Sequence, residues 1–292
     1  MYNKTVNNKY FNICITLLLL FLAVMIFIYL HHTVDNFNTD DTIDFSKNNL
    51  FLYWEGYEYK LIHKLRELIY LHSNNGDGYT VHFITPSNLK NYVSELPECF
   101  DSLLPAHRAD YIRVYVICKY GGIWLDSDVL VLDKLDDLFN IMKQNDGFLI
   151  KENNADLSNG VFGSKANTNF MIEWLNQINN ILQKKKSDIA WTEIGNNIQT
   201  RIQAENPKFL SNYTIYNGLD NLYPVNWNNC VEEFLVKPYN NYKNILREFQ
   251  PIVILCNLVY KEYENEKYNN NNEIPLMYFI NKSIENSKQK QK

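Results

Sequence analysis

Apolar and polar positions along the chain fall into blocks that alternate between two periods. Leu50-Phe51-Leu52-Tyr53-Trp54 is an unbroken apolar run followed by Glu55-Gly56, the pattern of a buried strand closed by a turn. Ile62, Leu65, Leu68, Ile69 and Leu71 recur at helical spacing, so 59–73 is expected to be a helix. Residues 74–78 read as a loop and 79–85 as a second strand, with Pro86-Ser87-Asn88 opening another helix. Further on, 134–142 is helical, 147–152 is a strand, and Ser158-Asn159-Gly160-Val161-Phe162-Gly163 is another edged with glycines. Phe170, Ile172, Trp174, Leu175, Ile178 and Leu182 mark a strongly amphipathic helix, which core packing explains. Lys184-Lys185-Lys186 suits its carbonyl-rich end. A last apolar strand runs over 251–260. Strands alternating with helices argue an α/β fold with a mainly parallel central sheet, whose ligands bind at the carboxyl ends of the strands.

Two blocks stand outside this alternation. Residues 11–30 form an apolar run without a charge, interrupted only by Asn12 and Thr16. Roughly 20 residues of helix cross a bilayer core, whereas a cleaved signal is shorter and ends in a small-x-small site. None precedes His31-His32, so an uncleaved transmembrane signal-anchor is expected. Lys4 and Lys9 precede the span, which places the N-terminus in the cytosol and the remainder outside or in a lumen: a single-pass type II arrangement. The expected organisation is a cytosolic tail at 1–10, the span at 11–30, a polar stem at 31–49, one globular domain at 50–262, and a linker with a mobile, lysine-rich tail at 263–292.

The chemistry concentrates in AHRADYIRVYVICKYGGIWLDSDVLVL, residues 106–132. Tyr111, Ile112, Val114, Tyr115, Val116, Ile117 and Cys118 cover almost every face of a helix, which is therefore buried. Gly121-Gly122 stops it, glycine being at ease in the left-handed conformation after a helix. Ile123-Trp124-Leu125 begins an apolar strand that runs into Asp126 and Asp128. Two carboxylates at i and i+2 on an extended backbone share a side, where unpaired they would repel. A divalent cation relieves both the repulsion and the burial; oxygen ligands suit Mg²⁺ or Mn²⁺. Asp110 and Arg113, at i and i+3, share one helix face beside them. The plain alternative is a buried ion pair with two turn aspartates, because D-x-D alone is weak.

The net charge of −5 and an ordinary charged fraction argue against nucleic acid as a partner. All six histidines lie at or before His107, which excludes a histidine triad in the second half, and no G-x-S-x-G elbow occurs. Cys99, Cys118, Cys230 and Cys256 have no C-x-x-C spacing, so a zinc site is not expected, while a disulfide among them stays open. Asn212-Tyr213-Thr214 and Asn281-Lys282-Ser283 are glycosylation sequons.

The composite Ala109-Asp110-x-x-Arg113, Tyr120-Gly121-Gly122-Ile123-Trp124-Leu125-Asp126-Ser127-Asp128 resembles the DXD-motif glycosyltransferases. That group includes the capsular polysaccharide synthesis proteins, the Golgi initiation mannosyltransferases of yeast and the glucosylating domains of large clostridial toxins. The resemblance extends over about 50–260 and implies a GT-A type nucleotide-sugar fold. It also implies a metal-dependent, retaining transfer from a UDP- or GDP-sugar to a glycan, glycolipid or glycoprotein acceptor. By resemblance, Asp128 and Asp126 hold Mn²⁺ (or Mg²⁺), Arg113 adds positive charge, and Asp110 fixes sugar or ribose hydroxyls. Trp54 matches the aromatic that stacks on the base, or is a rim tryptophan. Asn159 matches a donor contact, or is a turn asparagine. Trp227, in a Tyr-Pro-x-x-Trp run from Tyr223, stacks a sugar or packs beneath the site. Asn257 falls where relatives place a polar residue near the metal. Trp191-Thr192-Glu193-Ile194-Gly195 stands where relatives have Thr-Gly-Pro and departs from it, with Asn196 in place of proline. Other classes remain in view: a haloacid-dehalogenase-like phosphatase, a nucleotide-sugar hydrolase, and an inactive glycan-binding membrane protein.

Overall fold

The computed structural model describes residues 43, 45–73, 78–151, 156–186, 188–218, 225, 227–237, 251–269, 271 and 273–289. Apart from residue 43 these lie in one compact unit, Phe45–Lys292. The expected tail at 1–10, the span at 11–30 and most of the stem lie outside the described residues. Among the described residues no helix is long and apolar enough to cross a membrane.

Strand β1 (Asn49–Tyr53) is followed by helix α1 (Lys60–His72) and strand β2 (Thr80–Ile84). Helix α2 (Pro105–Tyr120) then leads into β3 (Gly122–Leu125), β4 (Val129–Val131), α3 (Asp136–Gln144), β5 (Gly147–Lys151) and β6 (Val161–Ser164). Helices α4 (Asn169–Lys185) and α5 (Asn196–Glu205) precede β7 (Tyr213–Asn217). The chain closes with β8 (Ile252–Ile254), α6 (Asn257–Glu262), α7 (Glu266–Asn269) and α8 (Pro275–Gln289).

The central sheet has the order β2-β1-β3-β6-β5-β7, and β4 pairs with β8 in a separate two-stranded sheet. β1 is parallel to both β2 and β3, and β5 is parallel to β7. β6 runs antiparallel to β3 and β5, so the sheet is mixed, with parallel pairing in the majority. One face of the sheet packs Leu50, Leu52, Ile123, Leu125, Phe148 and Ile150 against Leu138, Phe139 and Met142 of α3. A second core joins Leu61, Leu65 and Leu68 of α1 to β4, β8 and Leu276, Phe279 and Ile280 of α8.

Helix α2 is apolar on nearly all sides because it lies between β1 and β3 on one side and α4 on the other. Pro105 opens it, where its missing N–H costs nothing. Gly121 follows it with φ 67, and its N–H donates to Ile117 O at 3.0 Å. Gly122 has φ 124, and its bare Cα lies against the Asn49 backbone, so that β1 and β3 can pair.

Three expectations need correction. Pro86-Ser87-Asn88 opens only a 3₁₀ turn, Leu89–Asn91, because Asn88 Oδ1 accepts from Thr85 N at 2.8 Å and commits the segment to a turn. The strand expected over 251–260 is short and gives way to α6 at Asn257. The tail expected to be mobile forms α8 on the body: Ser283 Oγ donates to Val131 O at 2.6 Å, and Asn286 Nδ2 to Leu132 O at 2.9 Å.

Candidate active site

The carboxyl ends of β1 and β3 meet at one rim of the sheet. Trp54 follows the first and Asp126 the second. Asp126 N donates to Gly160 O at 2.8 Å, and Val129 N donates to Asp126 O at 3.1 Å. The D-x-D segment is therefore a tight turn between β3 and β4 rather than extended strand, which corrects the expected geometry. Ser127 between the aspartates donates its Oγ to Tyr53 O at 2.9 Å and ties the turn to the end of β1. Leu255 N donates to Asp128 O at 3.2 Å, bringing the segment after β8 to the same place.

Arg113 organises the charges. Its Nη1 lies 3.2 Å from Asp110 Oδ1 and its Nη2 3.0 Å from Asp126 Oδ1. Nη1 also donates to Asn159 O at 2.9 Å, and Asn159 Nδ2 donates to Asp110 Oδ1 at 2.8 Å. The guanidinium sits 5.4 Å from the Trp124 ring centroid, and Trp124 Nε1 donates to Asp126 Oδ1 at 2.7 Å. Arg113 and Asp110 side chains are only 7% and 8% exposed, while Asp126 is 34% exposed. Burial pushes the Asp110 carboxyl up to about 6, against the pull of Arg113. Among the described residues Asp128 has no ion pair; burial and the nearby Asp126 charge raise its pKa. One carboxylate of the turn is thus neutralised by the protein, and the other is left facing like charge.

Small residues make room for this arrangement. A Cβ at Gly160 would lie 2.9 Å from Asp126 Oδ2. A Cβ at Gly195 would collide with Asn159 Nδ2 and sit 3.5 Å from Asp110 Oδ1.

Asp110, Arg113, Asp126, Asp128 and Asn159 are therefore brought together. Trp54 stands at the rim: its Nε1 donates to Tyr57 O at 3.1 Å, and its ring meets Tyr260 edge-on at 5.5 Å. The Tyr260 phenol is raised to about 12, by burial first and by Asp128 next. The side chain of Trp227 lies outside the described residues. Asn257 starts α6 with its side chain exposed, and the neighbour that feels Asp128 is Cys256. Among the described residues Cys99, Cys118, Cys230 and Cys256 form no disulfide, and the thiols of Cys230 and Cys256 hydrogen-bond each other. No group of three or more His, Cys, Asp or Glu able to hold a metal occurs among the described residues.

Sequence reasoning missed Trp124, Ser127, Cys256 and the two glycines. Only the even spacing of Trp124 and Asp126 gave a signal; the others depend on contacts far apart in the chain. The phosphatase alternative fits poorly, since its nucleophile would be a carboxylate after the third strand rather than the first. A cavity of ≈ 650 Å³ opens on another face of α2, beside Tyr111, Tyr115 and Asn179, and no residue of the site lines it.

Comparison with known proteins gives three kinds of match. An uncharacterized protein of Arabidopsis thaliana is 33% identical over 73 residues, 25% of this chain and 11% of that relative. The matched segment thus spans about a tenth of the relative's length. A glycosyltransferase involved in the glycosylation of the major capsid of PBCV-1 is similar at 12% identity and TM-score 0.45, over 76% of this chain and 98% of that one. The galactosyltransferase LgtC, solved with donor and acceptor sugar analogs, is similar at 11% identity and TM-score 0.44, over 82% and 95%. The family described as capsular polysaccharide synthesis protein matches residues 22–291. Matched over nearly its whole length, the chain belongs to the capsular polysaccharide synthesis protein family.

Proposed function

We propose that the chain is a glycosyltransferase of the GT-A type that moves a sugar from a UDP- or GDP-sugar to a hydroxyl of a glycan, glycolipid or glycoprotein acceptor. On this reading it depends on a divalent cation, Mn²⁺ or Mg²⁺, and retains anomeric configuration, as do the relatives that its central motif resembles. The apolar run at 11–30 anchors it as a type II membrane protein. The observation that carries the reading is the charge arrangement at the rim: Arg113 pairs with Asp126, and Asp128 beside it has no ion pair among the described residues.

A hard cation fits that donor set. Asp126 and Asp128 supply oxygen ligands, and such ions are commonly held by one or two carboxylates plus substrate phosphates rather than by a complete protein cage. When bound, the cation neutralises charge developing on the leaving diphosphate. The chain's own residues do the rest. Arg113 fixes the rotamer of Asp126 and keeps a positive charge at the rim. Asp110, held by Arg113 and Asn159, offers its carboxylate to hydroxyls of the sugar or ribose. Trp54, at the end of β1, supplies an aromatic surface for the base, and the buried setting strengthens each electrostatic contact.

Titration of UDP and GDP into the protein with and without Mn²⁺ tests this. We expect one nucleotide to bind in a metal-dependent manner, and Asp128→Asn to weaken it at least about tenfold without lowering the melting temperature. Absence of binding by either nucleotide, or binding indifferent to metal and to Asp128→Asn, would contradict the reading.

A further inference from the structure

We infer that Trp191 is the acceptor-side platform of this site, its indole stacking on a pyranose ring of the acceptor glycan. The inference rests on the transferase reading and deepens it. A single exposed aromatic needs no explanation by itself. Trp191 differs in where it stands and in how firmly it is held.

Trp191 is 67% exposed, and burying a side chain of that size is a large favourable term that the folded chain forgoes. The turn that carries it is fixed from several directions. Trp174 Nε1 donates to Ile194 O at 3.2 Å, and Ile194 is buried. Glu193 accepts from Ala190 N at 3.0 Å and pairs with Lys185 at 2.6 Å. Gly195 N donates to Thr192 O at 3.2 Å, just before α5 begins. A platform held this way binds with little ordering cost.

The turn also touches the site. Gly195 lies against Asn159 Nδ2 and near Asp110 Oδ1, and any side chain there would displace Asn159. The Trp191 ring stands tilted beside that of His107, with centroids 6.3 Å apart. His107 is buried and lies one helical turn before Asp110 on the same face of α2. The His107 ring hydrogen-bonds the backbone of Ala190 and Trp191, which ties the turn to α2, while its Nε2 has no hydrogen-bond partner among the described residues. Gly195 and His107 thus set the exposed indole beside the residues that hold the donor sugar on the transferase reading, without placing it among them. A pyranose offers a face of C–H bonds to stack on the indole and hydroxyls at its edge for polar groups. A glycan acceptor fits such a surface; a free phosphate or a peptide backbone has no equivalent face.

The test uses the full chain and the variants Trp191→Ala and Trp191→Phe, with the nucleotide sugar that the wild type cleaves. The acceptor probes are the methyl glycosides of glucose, galactose and mannose. Two rates are followed, nucleoside diphosphate release with water alone and transfer to the glycoside. We expect Trp191→Ala to raise KM for the glycoside about tenfold, and Trp191→Phe to keep most of the affinity. Donor KM and the water-only rate should stay unchanged in both. An unchanged acceptor KM in an active Trp191→Ala would overturn the inference and leave the transferase reading standing. An equal fall in both rates would overturn it too, by assigning Trp191 to the fold or the donor. If the wild type releases no nucleoside diphosphate from any donor, the reading and the inference fall together.

Discussion

At the scale of single residues the site turns on Arg113. It compensates Asp110, which is as buried as itself, and Asp126, which is partly open to solvent and so contributes less. Removing one partner of a buried pair leaves an uncompensated charge, at a cost of roughly 3–5 kcal/mol. Arg113→Ala should lower the free energy of unfolding by about 3 kcal/mol and abolish turnover, as urea titration and a donor-cleavage assay would show. Arg113→Lys keeps the charge but not the planar fork that reaches both carboxylates, so it should cost less stability while turnover still falls. Wild-type stability in Arg113→Ala would refute the role. The Asp110–Arg113 pair was legible because a helix brings i and i+3 together. Cys256 was not, because it reaches Asp128 only through the β4–β8 pairing across more than a hundred residues of chain.

At the scale of elements, the Gly121-Gly122 break sets the distance between α2 and β3. Gly122 adopts φ 124, and a Cβ there would run into the Asn49 carbonyl and lie 2.9 Å from Asn49 Cβ. Gly122→Ala therefore combines backbone strain with overpacking, each on the order of 1–3 kcal/mol. Its melting temperature should drop well below that of an exposed control such as Gly56→Ala, which meets no atom within 4 Å but shares a positive φ. Equal melting temperatures would mean that β1 and β3 are not held as closely as described. Apolar runs and glycine breaks were readable in this region because they are local. The turn at Asp126 was misread as strand, since the Val129 N to Asp126 O bond leaves no mark in hydropathy. Asn88 likewise diverted an expected helix through a side-chain bond that composition does not reveal.

At the scale of the whole molecule, alternating strands and helices announced an α/β sheet, yet the antiparallel β6 was invisible. Its direction depends on partners brought in from other parts of the chain, not on its own four residues. The C-terminal helix was a different kind of miss. Leu276, Phe279, Ile280 and Ser283 carry helical spacing, but the lysine- and asparagine-rich surroundings outweighed it.

Acid stability belongs to this scale because His82 sits where β2, β1 and the chain before β1 meet. Its ring stacks on Phe51 at 4.6 Å, and its Nε2 lies 2.9 Å from Asn49 Oδ1. Burial lowers its pKa from 6.5 to about 4. In that interval the unfolded chain binds the extra proton and the folded chain does not. The contribution of His82 is therefore complete above pH 6.5 and is lost as the pH drops toward 4, by up to about 3 kcal/mol at 1.36 kcal/mol per pKa unit, in a window where the raised Asp110 carboxyl acts in the opposite sense. Across this range the urea midpoint of the wild type should fall relative to that of His82→Gln, in which the carboxyl contributions are the same. Parallel declines would remove the histidine from the account.

On the proposed reading the rim of β1 and β3 cleaves a nucleotide sugar. The most direct measurement is nucleoside diphosphate release from a panel of UDP- and GDP-sugars, with and without Mn²⁺, by the wild type and Asp128→Asn. We expect release from one donor that needs the metal and falls at least about a hundredfold in the variant. A folded wild type that releases nothing from any donor, or an Asp128→Asn variant as active as the wild type, would contradict it.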